Sequence, residues 1–264
     1  MNPAGVSPDD LVRHAEAVAR AAGMHARTSA HRRDEVNFRS HHDVKLQLDV
    51  ETQQVAYDCI RKAYPDHGFL GEEGEGEAAT HAVCWIVDPI DGTMNFFQGL
   101  PLWCTSIAVQ VGGRTVAGAV YAPEQDECFT VTIDGPTLCN GSPVRVSDTP
   151  DLRQSMICTA GLSRVSGDPG PRLPGFVNLL NEASKVRVLG AAALDLCYVA
   201  CGRLDGMYEY GLKIWDVAAG GLMVLRAGGT FERFDSAGGY VATNGRIRDE
   251  LRRVLNLEDP DESA

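Results

Sequence analysis

Between residues 83 and 147 the chain carries five short apolar or β-branched runs: VCWIVDP, TSIAVQV, TVAGAVYAP, ECFTVTI and PVRVS. Each is too short for a helix. Turn signals separate them, among them Gly112-Gly113 and Asn140-Gly141. Such spacing predicts strands joined largely by hairpins, an extended antiparallel sheet. Asn140-Gly141-Ser142 is also a glycosylation triplet, and it reads here as a turn. After about residue 174 the pattern changes. VRVLG reads as a strand, ALDLCYVACG as a buried helix, DGMYEYG as a strand and WDVAAGGLMVLRAGG as a helix with a glycine stop.

Helices flank this block. Ser7-Pro8-Asp9-Asp10 is a helix start, and Leu11, Val12, Ala15, Val18, Ala19 and Ala22 follow a helical period behind it. A second helix is expected over Asp49–Tyr64, stopping before Pro65, and a last one over Arg246–Leu255. No repeat and no Pro- or Ser-rich linker divides the chain. It reads as one α+β domain, 1–264, with sub-halves at about 1–150 and 151–264.

Composition narrows the function. At 44% hydrophobic and 23% charged residues the chain is ordinary globular protein. A chain this long buries about 73% of its unfolded surface, so no disulfide or metal staple is required. Lys plus Arg number 24 and Asp plus Glu 36, a formal charge of −12. Such a surface repels phosphate backbones, so no nucleic-acid partner is expected. No apolar run approaches a bilayer span, so no membrane partner is expected. MNPAGVSPDD lacks the regions of a signal peptide, and none of the eight cysteines forms a C-x-x-C pair. Reduced thiols in a cytoplasmic protein are the expectation.

Three acidic clusters carry the chemistry: Gly71-Glu72-Glu73, Asp88-Pro89-Ile90-Asp91-Gly92-Thr93 and Trp215-Asp216. Asp88 ends a strand apolar on both faces, so its carboxylate emerges at a sheet edge, where α/β sheets place their sites. Asp91, the Ile90 carbonyl and Thr93 add hard oxygen donors, the set magnesium prefers. Gly92 and Thr93 offer N–H groups at a helix start, which suit phosphate. The same hexapeptide reads equally as an Asx-rich turn capping a helix; Glu72 reads equally as a loop acid and Asp216 as a helix cap. Gly74-Glu75-Gly76-Glu77-Ala78-Ala79 imitates a dinucleotide fingerprint, but its two glutamates would repel pyrophosphate. P-loop, serine-hydrolase and zincin signatures are absent from the sequence. From His31 to Asp43 the apolar period breaks, leaving a polar stretch with Arg32, Arg33, Arg39, His41 and His42. It reads as an exposed loop and a mobile lid, or as an ordinary surface connection.

GEEG, WIVDPIDGTMNFFQGLP and WDVAAGGLMVLRAGG, in this order, resemble the inositol monophosphatase family of magnesium-dependent, lithium-sensitive phosphatases. The resemblance runs from about Asp43 to Asn244, and GAAALDLCYVACGRLDGMYEYGLKIWD is similar to that family's substrate-side segment. It implies a layered αβαβα sandwich, usually dimeric. It implies two or three Mg²⁺ ions held by Glu72, Asp88, the Ile90 carbonyl, Asp91 and Asp216. Asp49 and Thr93, with Glu72, would serve a metal-activated water. Asp91, Gly92 and Thr93 would meet the phosphate, and Gly190, Ala192 and Glu209 the alcohol.

The implied activity is a phosphomonoesterase acting on inositol monophosphate or a similar small polyol phosphate; histidinol-phosphate, fructose-1,6-bisphosphate and 3′-phosphoadenosine 5′-phosphate phosphatases are alternatives on the same fold. A non-catalytic metal-binding regulatory protein is the alternative from another class. Two departures bear on this. Arg39, His41 and His42 stand in the stretch where the family often has a Lys, and Lys213 stands where the animal inositol enzymes carry a His.

Overall fold

The computed structural model describes residues 7–39, 44–74, 81–160 and 172–257. Helix α1 (Pro8–Thr28) is capped by the Ser7 hydroxyl, which accepts from the Asp9 N–H at 3.2 Å. Strands β1 (Val36–Arg39) and β2 (Val44–Leu46) pair antiparallel, and α2 (Gln47–Ala63) follows. The large sheet takes β3 (Gly68–Gly71), β4 (Val83–Asp91), β5 (Cys104–Val111), β6 (Arg114–Ala122), β7 (Glu127–Thr132), β8 (Leu138–Cys139) and β9 (Ser142–Pro143). Its spatial order equals the chain order; β3 and β4 are parallel and every later pair is antiparallel. Helix α3 (Thr93–Gln98) leaves the end of β4.

The second sheet is mixed, of order β11-β10-β12-β14-β13. Its strands are β10 (Met156–Cys158), β11 (Lys185–Arg187), β12 (Gly206–Glu209), β13 (Thr230–Asp235) and β14 (Gly239–Thr243). Between them run α4 (Leu173–Glu182), α5 (Ala192–Ala200) and α6 (Ile214–Arg226), and α7 (Arg248–Leu255) closes the order.

Side-chain alternation assigns the layers, because successive strand residues face opposite sides. On β4, Trp85 and Val87 pack with Leu11, Ala15, Ala56 and Ile60 of α1 and α2, whereas Ile86 packs with α5 and α6. On β12 and β14, Met207 and Ala242 face α5 and α6, whereas Tyr208 and Val241 meet Leu179 of α4 and Leu251 of α7. The result is an α+β sandwich of five layers, αβαβα. The middle helices are apolar all round because a sheet covers each side.

The structure corrects three expectations. Of PVRVS only Pro143 lies in a strand, the two-residue Ser142–Pro143. VRVLG is a strand only to Arg187, and Gly190 sits in the turn before α5. The stretch from His31 is not simply a loop. Ala30–Arg32 makes a short helical turn, and Val36–Arg39 is a strand exposed at all four positions. Main-chain pairing with β2 holds that arm, so it needs no apolar period, which is why the sequence hid it. His41, His42 and Asp43 lie outside the described residues.

Candidate active site

The site forms where β3 ends and the next residues of β4 run on past it. These two strands are parallel, with Leu70 opposite Ile86 and Gly71 opposite Val87. Two residues beyond Ile86 on the same face comes Asp88; two beyond Leu70 comes Glu72. Period two thus sets both carboxylates side by side on the face that meets α5 and α6. The Glu72 N–H donates to the Val87 carbonyl at 3.1 Å and fixes the turn. Gln53 of α2 braces it from outside, its Oε1 accepting from the Glu73 N–H at 2.9 Å. A Cβ on Gly71 would fall 2.1 Å from that Gln53 oxygen, so a side chain here would push Gln53 off the turn it braces.

After Asp88 the ladder with β5 slips, and pairing resumes at Asp91 opposite Cys104. The Thr105 hydroxyl donates to the Pro89 carbonyl at 2.8 Å and holds the slip. Asp91 then turns across to the second half of the chain. Its carboxylate accepts from the N–H groups of Ala192 at 3.1 Å, Ala193 at 2.8 Å and Leu194 at 3.4 Å. Helix α5 has Ala191 at its N-cap, with no capping side chain of its own. An acid one hundred residues away supplies the cap and the charge that a helix N-terminus favours. Asp216 enters from the first turn of α6, its Oδ2 accepting from the Lys213 N–H at 2.6 Å. Asp49 makes the same bond to the Leu46 N–H at 2.7 Å on α2.

Carboxylate oxygens of Asp88, Asp91 and Asp216 lie within 4.8 Å of one another, and all three residues are buried. Burial, with the charges of Asp216, Glu73 and Asp49 behind it, pushes the Glu72 carboxyl up to about 8. Burial likewise holds Asp88 well above the carboxylate range, with Glu72, Asp91 and Asp216 adding to the effect. Among the described residues, Asp88 Oδ1 is buried without a hydrogen-bond partner. A cluster of crowded acids around an unpartnered oxygen is unfavourable unless a cation neutralises it. Hard oxygen donors in this number fit a divalent metal ion.

A cavity of about 460 Å³ opens over these groups, with Glu72, Ile90, Gly92, Thr93 and Gly190 in its walls. The Thr93 hydroxyl donates to the Ile90 carbonyl at 3.0 Å. The N–H groups of Gly92 and Thr93 precede the first bond of α3, from the Phe96 N–H to the Gly92 carbonyl at 3.0 Å. Gly92 has φ +89°, and a Cβ there would lie 2.9 Å from the Leu102 carbonyl and 3.0 Å from Ala191. Of the residues expected on the alcohol side, Gly190 lines the cavity. Ala192 is buried at the cap of α5, and Glu209, 4% exposed at the end of β12, is not among the cavity walls. Asp49 is 2% exposed and adds to the charge that Glu72 meets. Lys213 is in the wall, as its position predicts.

Sequence reasoning missed Lys45. It lines the cavity and reaches both Glu73 oxygens at 3.1 Å. The signal was its place between Val44 and Leu46, which are buried and turn it to the opposite face of β2. Arg32 instead pairs with Glu35 and Glu51 and is engaged away from the carboxylates.

Residues 7–255 match the inositol monophosphatase family. The chain belongs to that family, a family of phosphatases. A protein named Nus factor SuhB from Pasteurella multocida is 37% identical over 240 residues, covering 90% of each chain. An inositol-1-monophosphatase from Mesorhizobium japonicum is 39% identical over 230 residues, 84% of this chain and 86% of that one. The crystal structure of the extragenic suppressor protein suhB from Bartonella henselae superposes with a TM-score of 0.87 at 35% identity. It covers 93% of this chain and 98% of that one.

Proposed function

We propose that this family member is a magnesium-dependent phosphomonoesterase acting on inositol monophosphate or a similar polyol phosphate. One observation carries the reading: three buried carboxylates within 4.8 Å of one another, of which Asp88 has an oxygen without a hydrogen-bond partner among the described residues. Glu72, Asp88, the Ile90 carbonyl, Asp91 and Asp216 would hold two or three magnesium ions. Bound there, magnesium would polarise the phosphate ester, lower the pKa of water and neutralise a leaving alkoxide.

The chain's own groups do the rest. Thr93 commits its hydroxyl hydrogen to the Ile90 carbonyl, which leaves its oxygen to act as an acceptor toward a water. Thr93 and Asp49 would orient the attacking water and take its proton. The N–H groups of Gly92 and Thr93 would meet the phosphate oxygens. Gly190 lines the cavity and would meet the alcohol; Ala192 and Glu209, buried outside its walls, would complete the alcohol side, where a glutamate favours a polyol rich in hydroxyl donors. All eight cysteines are free, which supports a cytoplasmic setting, and we propose a homodimer.

A panel of phosphate esters assayed with magnesium tests the substrate. Preference for inositol monophosphate over histidinol phosphate, fructose 1,6-bisphosphate and 3′-phosphoadenosine 5′-phosphate is expected; the reverse order would reassign it. A second reading, a regulatory protein that keeps the fold, draws on the relative named as a Nus factor. It predicts no phosphate release from any ester.

A further inference from the structure

A second cavity, of about 440 Å³, lies on the other side of α6. Its floor is apolar: Val217, Ala218 and Leu222 of α6, with Ile133 and Phe231. Phe231 and Tyr240 stack at 5.3 Å with their planes 5° apart, making one flat wall. Two arginines, Arg114 and Arg226, stand exposed at the edge of this apolar space. Arg226 spends its Nε on the Gly135 carbonyl at 2.9 Å. Among the described residues neither guanidinium belongs to an ion pair, although the chain carries twelve more acids than Lys and Arg.

This combination specifies a ligand. An apolar body of modest size fits the floor and the aromatic wall, and an anionic head fits the two guanidinium groups. A phosphorylated polyol does not fit, since its hydroxyls would find no partners on Val217, Ala218 and Leu222. We infer that this cavity is a second ligand site, for an amphiphilic organic anion such as a medium-chain carboxylate.

The site shares a wall with the carboxylate cluster. Lys213, Trp215 and Asp216 face the first cavity, and Ile214, Val217 and Ala218 face the second. One helical turn therefore separates the two ligands. An apolar body packed on Val217 and Ala218 restrains that turn and holds Asp216 in its capping bond to Lys213. Ordering the turn in advance makes a cation at Asp216 bind more tightly, and linkage makes the effect mutual.

The test uses the full chain and 8-anilinonaphthalene-1-sulfonate, an aromatic anion whose fluorescence rises on apolar binding, with octanoate as competitor. Saturable binding of one probe per chain is expected, displaced by octanoate and not by octylamine. Arg114→Ala with Arg226→Ala should weaken probe binding at least tenfold, with an unchanged melting temperature showing that the fold is intact. Ala218→Phe, which fills the floor, should abolish it. Calorimetric titration should show octanoate tightening magnesium about fivefold. Probe binding that is unsaturable, or indifferent to these three substitutions, would overturn the site. Loss of the signal on raising protein concentration, as a dimer forms, would assign the cavity to contact between copies and overturn the anion reading. An unchanged magnesium affinity would overturn the coupling. The probe measurements do not depend on the phosphatase reading.

Discussion

Replacing Asp88 by Asn is expected to do two opposite things. In the fold Asp88 holds its proton well above the usual carboxylate range, whereas in the unfolded chain it has the ordinary value of 3.8. At pH 7 the folded, metal-free protein must keep this acid neutral against that difference. Whatever the size of the shift, the cost at pH 7 is capped by the roughly three pH units between 3.8 and 7 at about 1.36 kcal/mol each, at most about 4 kcal/mol. Asn is neutral and of the same shape, so it removes the cost. It also disturbs the hydrogen bond between Asp88 and Glu72, which returns about 1–2 kcal/mol. The net gain is at most about 2–3 kcal/mol, and for a chain of this size it raises the metal-free melting temperature by at most about 5–10 °C. The sign fixes the pH window. A raised carboxyl costs stability above the unfolded value and nothing below it, so the advantage must vanish as pH falls toward 4. Magnesium should then raise the melting temperature of the wild type and leave the variant nearly unmoved. Phosphate release should fall by more than the roughly 10²–10³-fold typical of one electrostatic contact. Scanning calorimetry of both proteins with and without magnesium, at pH 4.5 and 7, makes the comparison. A variant that melts below wild type without metal, or turns over normally at saturating magnesium, would refute the reasoning.

Other outcomes follow from single residues. The Glu72 carboxyl, up to about 8 from 4.5, keeps its proton in the fold, so metal-free stability should fall as pH rises from about 4.5 to 8, by at most about 1.4 kcal/mol per unit; Glu72→Gln should flatten that slope in calorimetry. Gly71→Ala drives a methyl into Gln53 and should raise the magnesium concentration for half activity, with a loss of about 1–3 kcal/mol in denaturant unfolding. Glu209→Gln should weaken turnover of inositol phosphate and largely spare an aryl phosphate; equal losses on both would move Glu209 out of the alcohol side. Five of the eight thiols are buried and three half-buried, so a thiol reagent should modify at most three quickly in the native protein and all eight after denaturation.

The carboxylates were legible because strand period and turn residues are local. VCWIV followed by Asp-Pro-Ile-Asp states a strand end with acids, and period two carries Ile86 to Asp88. The layer order was legible only through the family resemblance, since nothing in α5 says that sheets cover both its faces. Contacts made across the chain stayed hidden. Asp91 capping α5 joins residues one hundred positions apart, and no spacing rule announces it. Gln53 beneath the GEEG turn belongs to a helix whose outer face looked unremarkable. The arm Val36–Arg39 is held by main-chain bonds, to which side-chain patterns are silent. Lys45 carried a local signal in its flanking Val44 and Leu46, and the search for a basic residue in the preceding stretch passed over it.

If the acids around Asp88 serve phosphate release by holding magnesium, the ion is indispensable to turnover. The direct measurement is the initial rate of phosphate release from inositol 1-phosphate by protein stripped with a chelator, as magnesium is added back. The expected result is no release from the stripped protein and a saturable return with magnesium that Asp88→Asn does not share. Release that persists without a divalent ion, or none at any magnesium concentration from a correctly folded chain, would contradict it.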